Sequence, residues 1–288
     1  MITYIRAFVH SLYAIYKVKS YLFKKIYHSA VWIALLTTVI CAIHSFGIYT
    51  FSTDFSLPGV MGAALGILLV FRNNTAYERW WEARKVLGGI VNTSRGLAIQ
   101  LKVLVPDKEI RKEIISLVAA YFFVLKEHLR EGVIMEEISF LPDADKTEIQ
   151  KWLHKPNCVT NLLMSKIAQI YKAAHITDFQ YMQLIGEVNL LIEYIGKCER
   201  IKNTPMPLAH KYLLKTYIFV YIMITPFGFV ATMGWWTVLA VVAVYFLSVS
   251  IVTIADEIEN PFGKDLSDLP VDGIAMNIRN NLIEIDEK

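Results

Sequence analysis

The sequence predicts an all-α membrane protein, with four transmembrane helices in two hairpins and a helical, water-facing region inserted between them. Three observations carry this. Hydrophobic residues make up 55% of the 288-residue chain, above the roughly 45–50% of soluble proteins, and the mean hydropathy is +0.42. Charged residues still amount to 19%, so much of the chain must meet water. The uncharged residues gather in a few long stretches, and no alternating strand pattern of any length lies between them.

Residues 1–28 mix aromatic positions (Phe8, Tyr13, Tyr16, Tyr21, Phe23) with Arg6, Lys17, Lys19, Lys24 and Lys25. Such a segment either lies at an anionic membrane surface or packs on the water-facing part. The first apolar stretch begins too late and runs too long for the core of a cleavable signal. Ser29 to Thr53 carries no Asp, Glu, Lys or Arg and exceeds the roughly 20 residues that cross a bilayer. Asp54 and Pro58 mark a turn. The second span, Phe55–Phe71, is short and rich in small residues (Gly59, Gly62, Ala63, Ala64, Gly66), which let helices approach closely in a membrane. The first hairpin is thus read over 29–71. Charge then arrives at once with Arg72, Glu78, Arg79, Glu82, Arg84 and Lys85.

The middle, 72–211, shows helical apolar spacing in 86–104, 109–128 and 178–201, punctuated by Pro106, Pro142 and Pro156. Asp143–Lys151 reads as a charged segment that starts a helix. Thr216 to Ala255 is uncharged and about twice the length one span needs. It must fold back, and Met233–Gly234 beside Trp235–Trp236 is the expected turn, since tryptophan prefers the interface. The second hairpin is read over 212–255, with Pro226 and Gly228 expected to kink its first helix. The tail, 256–288, opens on acids, turns at Pro261 and Gly263, and closes on an amphipathic helix through Ile274, Ile278, Leu282 and Ile285. Neither outer turn, Ser52–Leu57 or Ala231–Thr237, contains Lys or Arg. The positive-inside rule therefore places both termini in the cytoplasm.

Several function classes fall away. A net charge of +3 with no dense basic run does not suggest nucleic acid. Cys41, Cys158 and Cys198 form no CxxC pair and read as buried or lipid-facing thiols. No GxSxG, HExxH or P-loop is present, so no enzyme and no cofactor are expected. Asp256, Glu257, Glu259, Asp265 and Asp268 form the acidic cluster nearest to a metal pattern, yet they lack the spacing of a calcium loop. They read as turn and capping acids. His128 and His154 show no metal spacing and read as surface or packing histidines, so no metal site is expected. Arg79-Trp80-Trp81 reads as an interfacial anchor, a contact to a neighbouring helix or subunit, or both. Ala63, Ile67 and Phe71 recur at i, i+4, i+8 and share one helical face. By periodicity alone that face is either a core stripe or a pore lining.

Four motifs resolve the choice. They are Phe71-Arg72-Asn73-Asn74 with Tyr77 and Glu82-Ala83-Arg84; Cys198-Glu199-Arg200-Ile201 leading to Thr204-Pro205-Met206-Pro207; Glu257-Ile258-Glu259-Asn260-Pro261-Phe262-Gly263; and Asp268-Leu269-Pro270. With the two-hairpin layout they resemble the bestrophin family, in its bacterial branch, from about residue 20 to residue 285.

The resemblance implies a homopentameric ion channel in a bacterial inner membrane, surrounded by lipid and passing monovalent ions along the fivefold axis. It places a hydrophobic neck at Ala63, Ile67 and Phe71. A second constriction falls at Ile201, or in an alternative register at Thr204. Ala63 is smaller than the bulky side chains usual at its position. Animal members hold Ca²⁺ with an acidic run after Asn-Pro-Phe-Gly, whereas here the run is Lys264-Asp265-Leu266-Ser267-Asp268. Bacterial relatives are associated with cations, chiefly sodium, and animal relatives with chloride; the expectation here is cations, with an anion channel as the alternative. A membrane-anchored scaffold without conductance is the rival class.

Overall fold

A computed structural model describes residues 26–50, 56–130 and 132–288. The amino-terminal basic segment up to residue 25 and most of the first outer turn lie outside these. Among the described residues every regular element is helical. They are α1 (Ile26–Ser45), α2 (Ser56–Leu104), α3 (Lys108–His128), a 3₁₀ turn (Met135–Ile138), α4 (Asp143–Lys151), α5 (Lys155–Lys172), α6 (Asp178–Asn203), α7 (Leu208–Met233), α8 (Trp236–Ile258) and α9 (Val271–Glu287). The chain divides into two compact units. One holds the chain up to Tyr77 and Met206–Glu257; the other holds Glu78–Pro205 and Ile258–Lys288.

The first unit contains α1, the start of α2, α7 and nearly all of α8. Among the described residues four helices are long and apolar enough to cross a membrane, and these stretches supply them. The core is small: Leu65 and Leu69 of α2 pack with Leu214, Ile218, Tyr221, Ile222, Val241 and Val252. Two glycines set how closely α2 and α7 meet. A Cβ at Gly62 would lie 2.7 Å from the Tyr221 hydroxyl, and one at Gly228 would lie 2.5 Å from Pro58 Cγ. Gly228 thus makes room for a neighbouring helix, while α7 runs unbroken through Pro226. Hydroxyls that would be stranded in hydrocarbon bond back to their own helix: Thr37 to the Ile33 carbonyl at 2.8 Å and Thr225 to that of Tyr221 at 2.6 Å. Gly234, at φ +54°, closes α7 with its N–H on the Val230 carbonyl. Large apolar side chains such as Trp32, Phe46, Trp236 and Leu239 stay exposed around the outside, as expected for a surface solvated by lipid.

The second unit is built on α3. Asp107 caps it, its Oδ1 accepting from the N–H groups of Glu109 and Ile110 at 3.0 and 3.1 Å. Every residue from Leu117 to Glu127 is buried; a helix apolar or paired all round is a core helix. It packs against α5 and α9. Helix α6 starts in a capping box between Thr177 and Gln180. It then buries Leu184, Val188, Leu191, Ile195, Cys198 and Ile201. Burial without a stabilising partner pushes the Cys158 thiol up to about 11 and that of Cys198 to about 12. Neither is a reactive thiolate at neutral pH.

Candidate functional site

Helix α2 turns two different faces outward and inward. Leu65, Leu69 and Arg72 point into the fold and are less than a tenth exposed. Ile67 and Phe71 point away from it, at 59% and 64% exposure, and Ala63 shares their exposed side. The stripe continues to Thr75, whose hydroxyl folds back onto the Phe71 carbonyl at 2.9 Å. An apolar row turned away from its own core is covered by lipid, by another copy of the chain, or by nothing but a narrow lumen. Arg72 follows directly. It is 4% exposed, and its Nη2 donates to Asp256 Oδ1 at 2.6 Å. Lys215 Nζ stands 3.8 Å from the other carboxylate oxygen. Asp256 therefore neutralises the arginine of the Phe-Arg-Asn motif, as a buried guanidinium requires. Asn73, beside it, is half-buried.

In the second unit, Arg79 reaches three backbone carbonyls: Glu259 at 2.6 Å, Lys202 at 3.3 Å, and Thr204. Two of these close the carboxyl end of α6, where a cation suits the unmet carbonyls. Trp80 donates Nε1–H to the Ser267 carbonyl at 3.1 Å and stacks on Trp81. Arg200 pairs with Glu82. The expected constriction residue Ile201 does not face open space. It is 3% exposed and belongs to this unit's core. The reason is its phase: it ends the i, i+3, i+4 stripe of α6 that begins at Leu184. Thr204, the alternative register, is exposed in the linker that follows.

The Asn260-Pro261-Phe262-Gly263 turn is fixed by an arginine from α3's end. Arg130 donates to the Phe262 carbonyl at 2.9 Å and the Gly263 carbonyl at 3.1 Å. Phe262 is buried. A Cβ on Gly263 would stand 2.5 Å from Asp268 Oδ2, so a larger residue has to displace that carboxylate. That same oxygen accepts the Asp265 N–H at 2.6 Å. Asp268 thus organises a turn, as its place in the sequence suggests.

Two charge clusters escape the sequence reading. Lys126, whose side chain is 2% exposed, donates to Glu127, Glu137 and Asp272, each at 2.8 Å. Arg130 also holds Asp272, at 2.9 Å, and Glu127, at 3.3 Å. Burial works against the charge on Lys126, but the three carboxylates outweigh it and raise its pKa. Burial likewise raises Asp272, and the two cations outweigh it and lower its pKa. In the second cluster, His128 and His154 bring their Nε2 atoms to one oxygen, Glu199 Oε1, at 2.8 and 2.7 Å. Burial raises the Glu199 carboxyl, and the two imidazoles bring it below the ordinary range. Neither cluster has a spacing motif, because each draws at least one member from a distant part of the chain: Asp272 from α9, Glu199 from α6.

Among the described residues, four helices long and apolar enough to cross a membrane and a surface of large exposed apolar side chains mark a multi-pass membrane protein. The family profile described as bacterial/fungal bestrophin protein matches residues 1–284, and the chain belongs to that family of ion channels. Among curated relatives, the voltage-dependent anion channel-forming protein alr2987 of Nostoc sp. is 37% identical over 227 residues, 77% of this chain and 74% of that one. The protein of the same description named sll1024, from Synechocystis sp., is 35% identical over 260 residues, 86% of this chain and 85% of that one. Among solved structures, a mutant of a bacterial bestrophin homologue from Klebsiella pneumoniae superposes with a TM-score of 0.86 at 25% identity. It covers 92% of this chain and 100% of its own.

Proposed function

We propose that the chain is the subunit of a homopentameric channel that passes monovalent ions passively through an apolar neck. The observation that carries this is the exposure of Ile67 and Phe71 on a helix whose other face is packed. Five copies of such a stripe around an axis make successive hydrophobic rings. A narrow ring of this kind gates by dewetting, because an ion cannot leave its hydration shell there cheaply. Ile67 and Phe71 are the gating rings; Ala63, with a single methyl, makes a wider entrance. The second constriction moves off the buried Ile201 and onto the exposed linker at Thr204, where Met206 is the one long apolar side chain. The protein sits in the inner membrane with both termini in the cytoplasm, on the evidence of outer turns without Lys or Arg.

Two readings of ion sign rest on different observations. The names of the Nostoc and Synechocystis relatives favour anions. The closure of Arg72 by Asp256 favours cations, since it removes a positive charge from beside the neck. Bilayer recording of the purified protein under a NaCl gradient tests both: the sign of the reversal potential selects one, and absence of any conductance returns the chain to a membrane-anchored scaffold. Ile67→Ala with Phe71→Ala raises ion flux into liposomes severalfold. Unchanged flux in a correctly assembled variant would remove the neck from these residues.

A further inference from the structure

His128, His154 and Glu199 come from three separate parts of the fold. His128 ends α3, His154 is the residue before α5, and Glu199 sits in the last turns of α6. Their ligand atoms all lie within 4.8 Å of one another. The imidazole rings approach to 4.7 Å between centroids. The side chains are 28%, 33% and 29% exposed, so the group is recessed yet open to an ion from solvent. The donor set is two imidazoles and one carboxylate, which suits zinc and its neighbours and suits calcium or magnesium poorly.

We infer that His128, His154 and Glu199 form a binding site for a divalent transition-metal ion of the zinc class. In a tetrahedral shell with bonds of about 2.0–2.2 Å, ligand atoms stand about 3.3 Å apart. The two Nε2 to Oε1 distances, 2.8 and 2.7 Å, have to open by about half an ångström to admit the ion, within the reach of side-chain rotation. A water completes the shell. Both nitrogens that now face the carboxylate must offer a lone pair. For His154 this has an identifiable cost. Its Nδ1 accepts the Asn157 N–H at 3.2 Å, which leaves the ring proton on Nε2. Metal at Nε2 moves that proton to Nδ1 and releases the Asn157 N–H. Asn157 is exposed, so water takes up the freed donor.

The ion would tie together α3, α5 and the end of α6. That end also carries the Arg79 and Lys202 contacts: Lys202 Nζ donates to the carbonyls of His128 and Arg130 at 3.3 and 3.4 Å. The linker at Thr204 begins less than two turns after Glu199. A bound ion therefore stiffens the segment that leads into the proposed second constriction, and this part of the inference rests on the channel reading.

The test is equilibrium binding of zinc alone to the purified full-length protein, by titration calorimetry against its His128→Ala/His154→Ala variant, with Glu199→Gln as the milder change. One ion per chain is expected, with affinity reduced by at least about tenfold in either variant. Cobalt in place of zinc should give the visible absorption of a tetrahedral site, and the absorption should disappear in the double variant. Thermal unfolding in metal-free buffer controls for folding of the variants. No binding by the parent protein, or equal affinity in a folded double variant, overturns the site. Zinc should change ion flux in the parent and leave the double variant unaffected. Flux that is absent both with and without zinc counts against the channel reading and leaves the binding result standing.

Discussion

The two units of this chain solve opposite solvation problems. The membrane unit has a small packed core and a large apolar exterior, and its helices fit by omission: Gly62 and Gly228 exist so that Tyr221 and Pro58 can approach. The other unit has a large core and admits charge into it, with Lys126 and Arg130 shared among Glu127, Glu137 and Asp272. In hydrocarbon, apolar burial drives little association, and close van der Waals fit matters most. In water, burial is already favourable, and an interior ion pair imposes orientation in place of adding stability. Substitutions should therefore fail for different reasons in the two units.

The largest loss is expected at Lys126. Lys126→Met leaves carboxylates facing an apolar stem, which costs about 3 kcal/mol, the low end for a broken buried ion pair because Asp272 is open to water. Denaturant unfolding in detergent measures it, and a loss below about 1 kcal/mol would show that water replaces the ammonium. Next comes Gly62→Val, which overpacks the contact with Tyr221 and costs about 1–3 kcal/mol. Gly66→Ala, with nothing within 4 Å of its Cβ position, is the control on the same helix and should be neutral or stabilising. Thermal scans of the two variants break the comparison if they coincide.

Asp272 sharpens the comparison through pH. Its carboxyl is held below the ordinary value of about 3.9. The stabilisation it provides is present above that value and disappears as pH falls through the depressed one. The stability gap between the parent protein and Asp272→Asn should close below about pH 4 and stay constant from pH 5 to 8. Lys126 bounds the other side: its pKa is raised, so its contribution is complete below about 10.4 and is lost as pH rises past the raised value. The smallest effect on stability is expected for Ile67→Ala with Phe71→Ala, within about 0.5 kcal/mol for an unpacked face, even as flux rises. A stability loss of the size seen at core leucines would place these side chains in a packed contact.

Much of this was legible from residue order. Long uncharged runs gave the spans, since only length and apolarity are needed to cross a bilayer. Asp143–Lys151 was read as a helix start and is α4; its first-turn acids and terminal lysine suit the helix dipole. Gly263 stood out inside a turn motif, and the structure adds the close approach of the Asp268 carboxylate to it. The burial of Ile201 was also legible, in the spacing of α6 back to Leu184. The clusters around Lys126 and Glu199 were not legible. Asp272 is far in sequence from Lys126, and Glu199 is far from His128 and His154; packing of α3 against α5 and α9, and of α5 against α6, brings them within a hydrogen bond. The exposed stripe on α2 lies between these cases: periodicity shows a face but not what that face meets.

Lys126 sits among three carboxylates in the place a divalent ion could occupy. A tethered ammonium differs from a bound ion in one respect that matters to a cell. It cannot dissociate, be chelated, or be outcompeted, and its local concentration does not follow that of the medium. The corner where α3, the 3₁₀ turn and α9 meet is consequently deaf to the metal supply, whereas three open ligands at Glu199, a few turns away on another helix, would remain able to hear it.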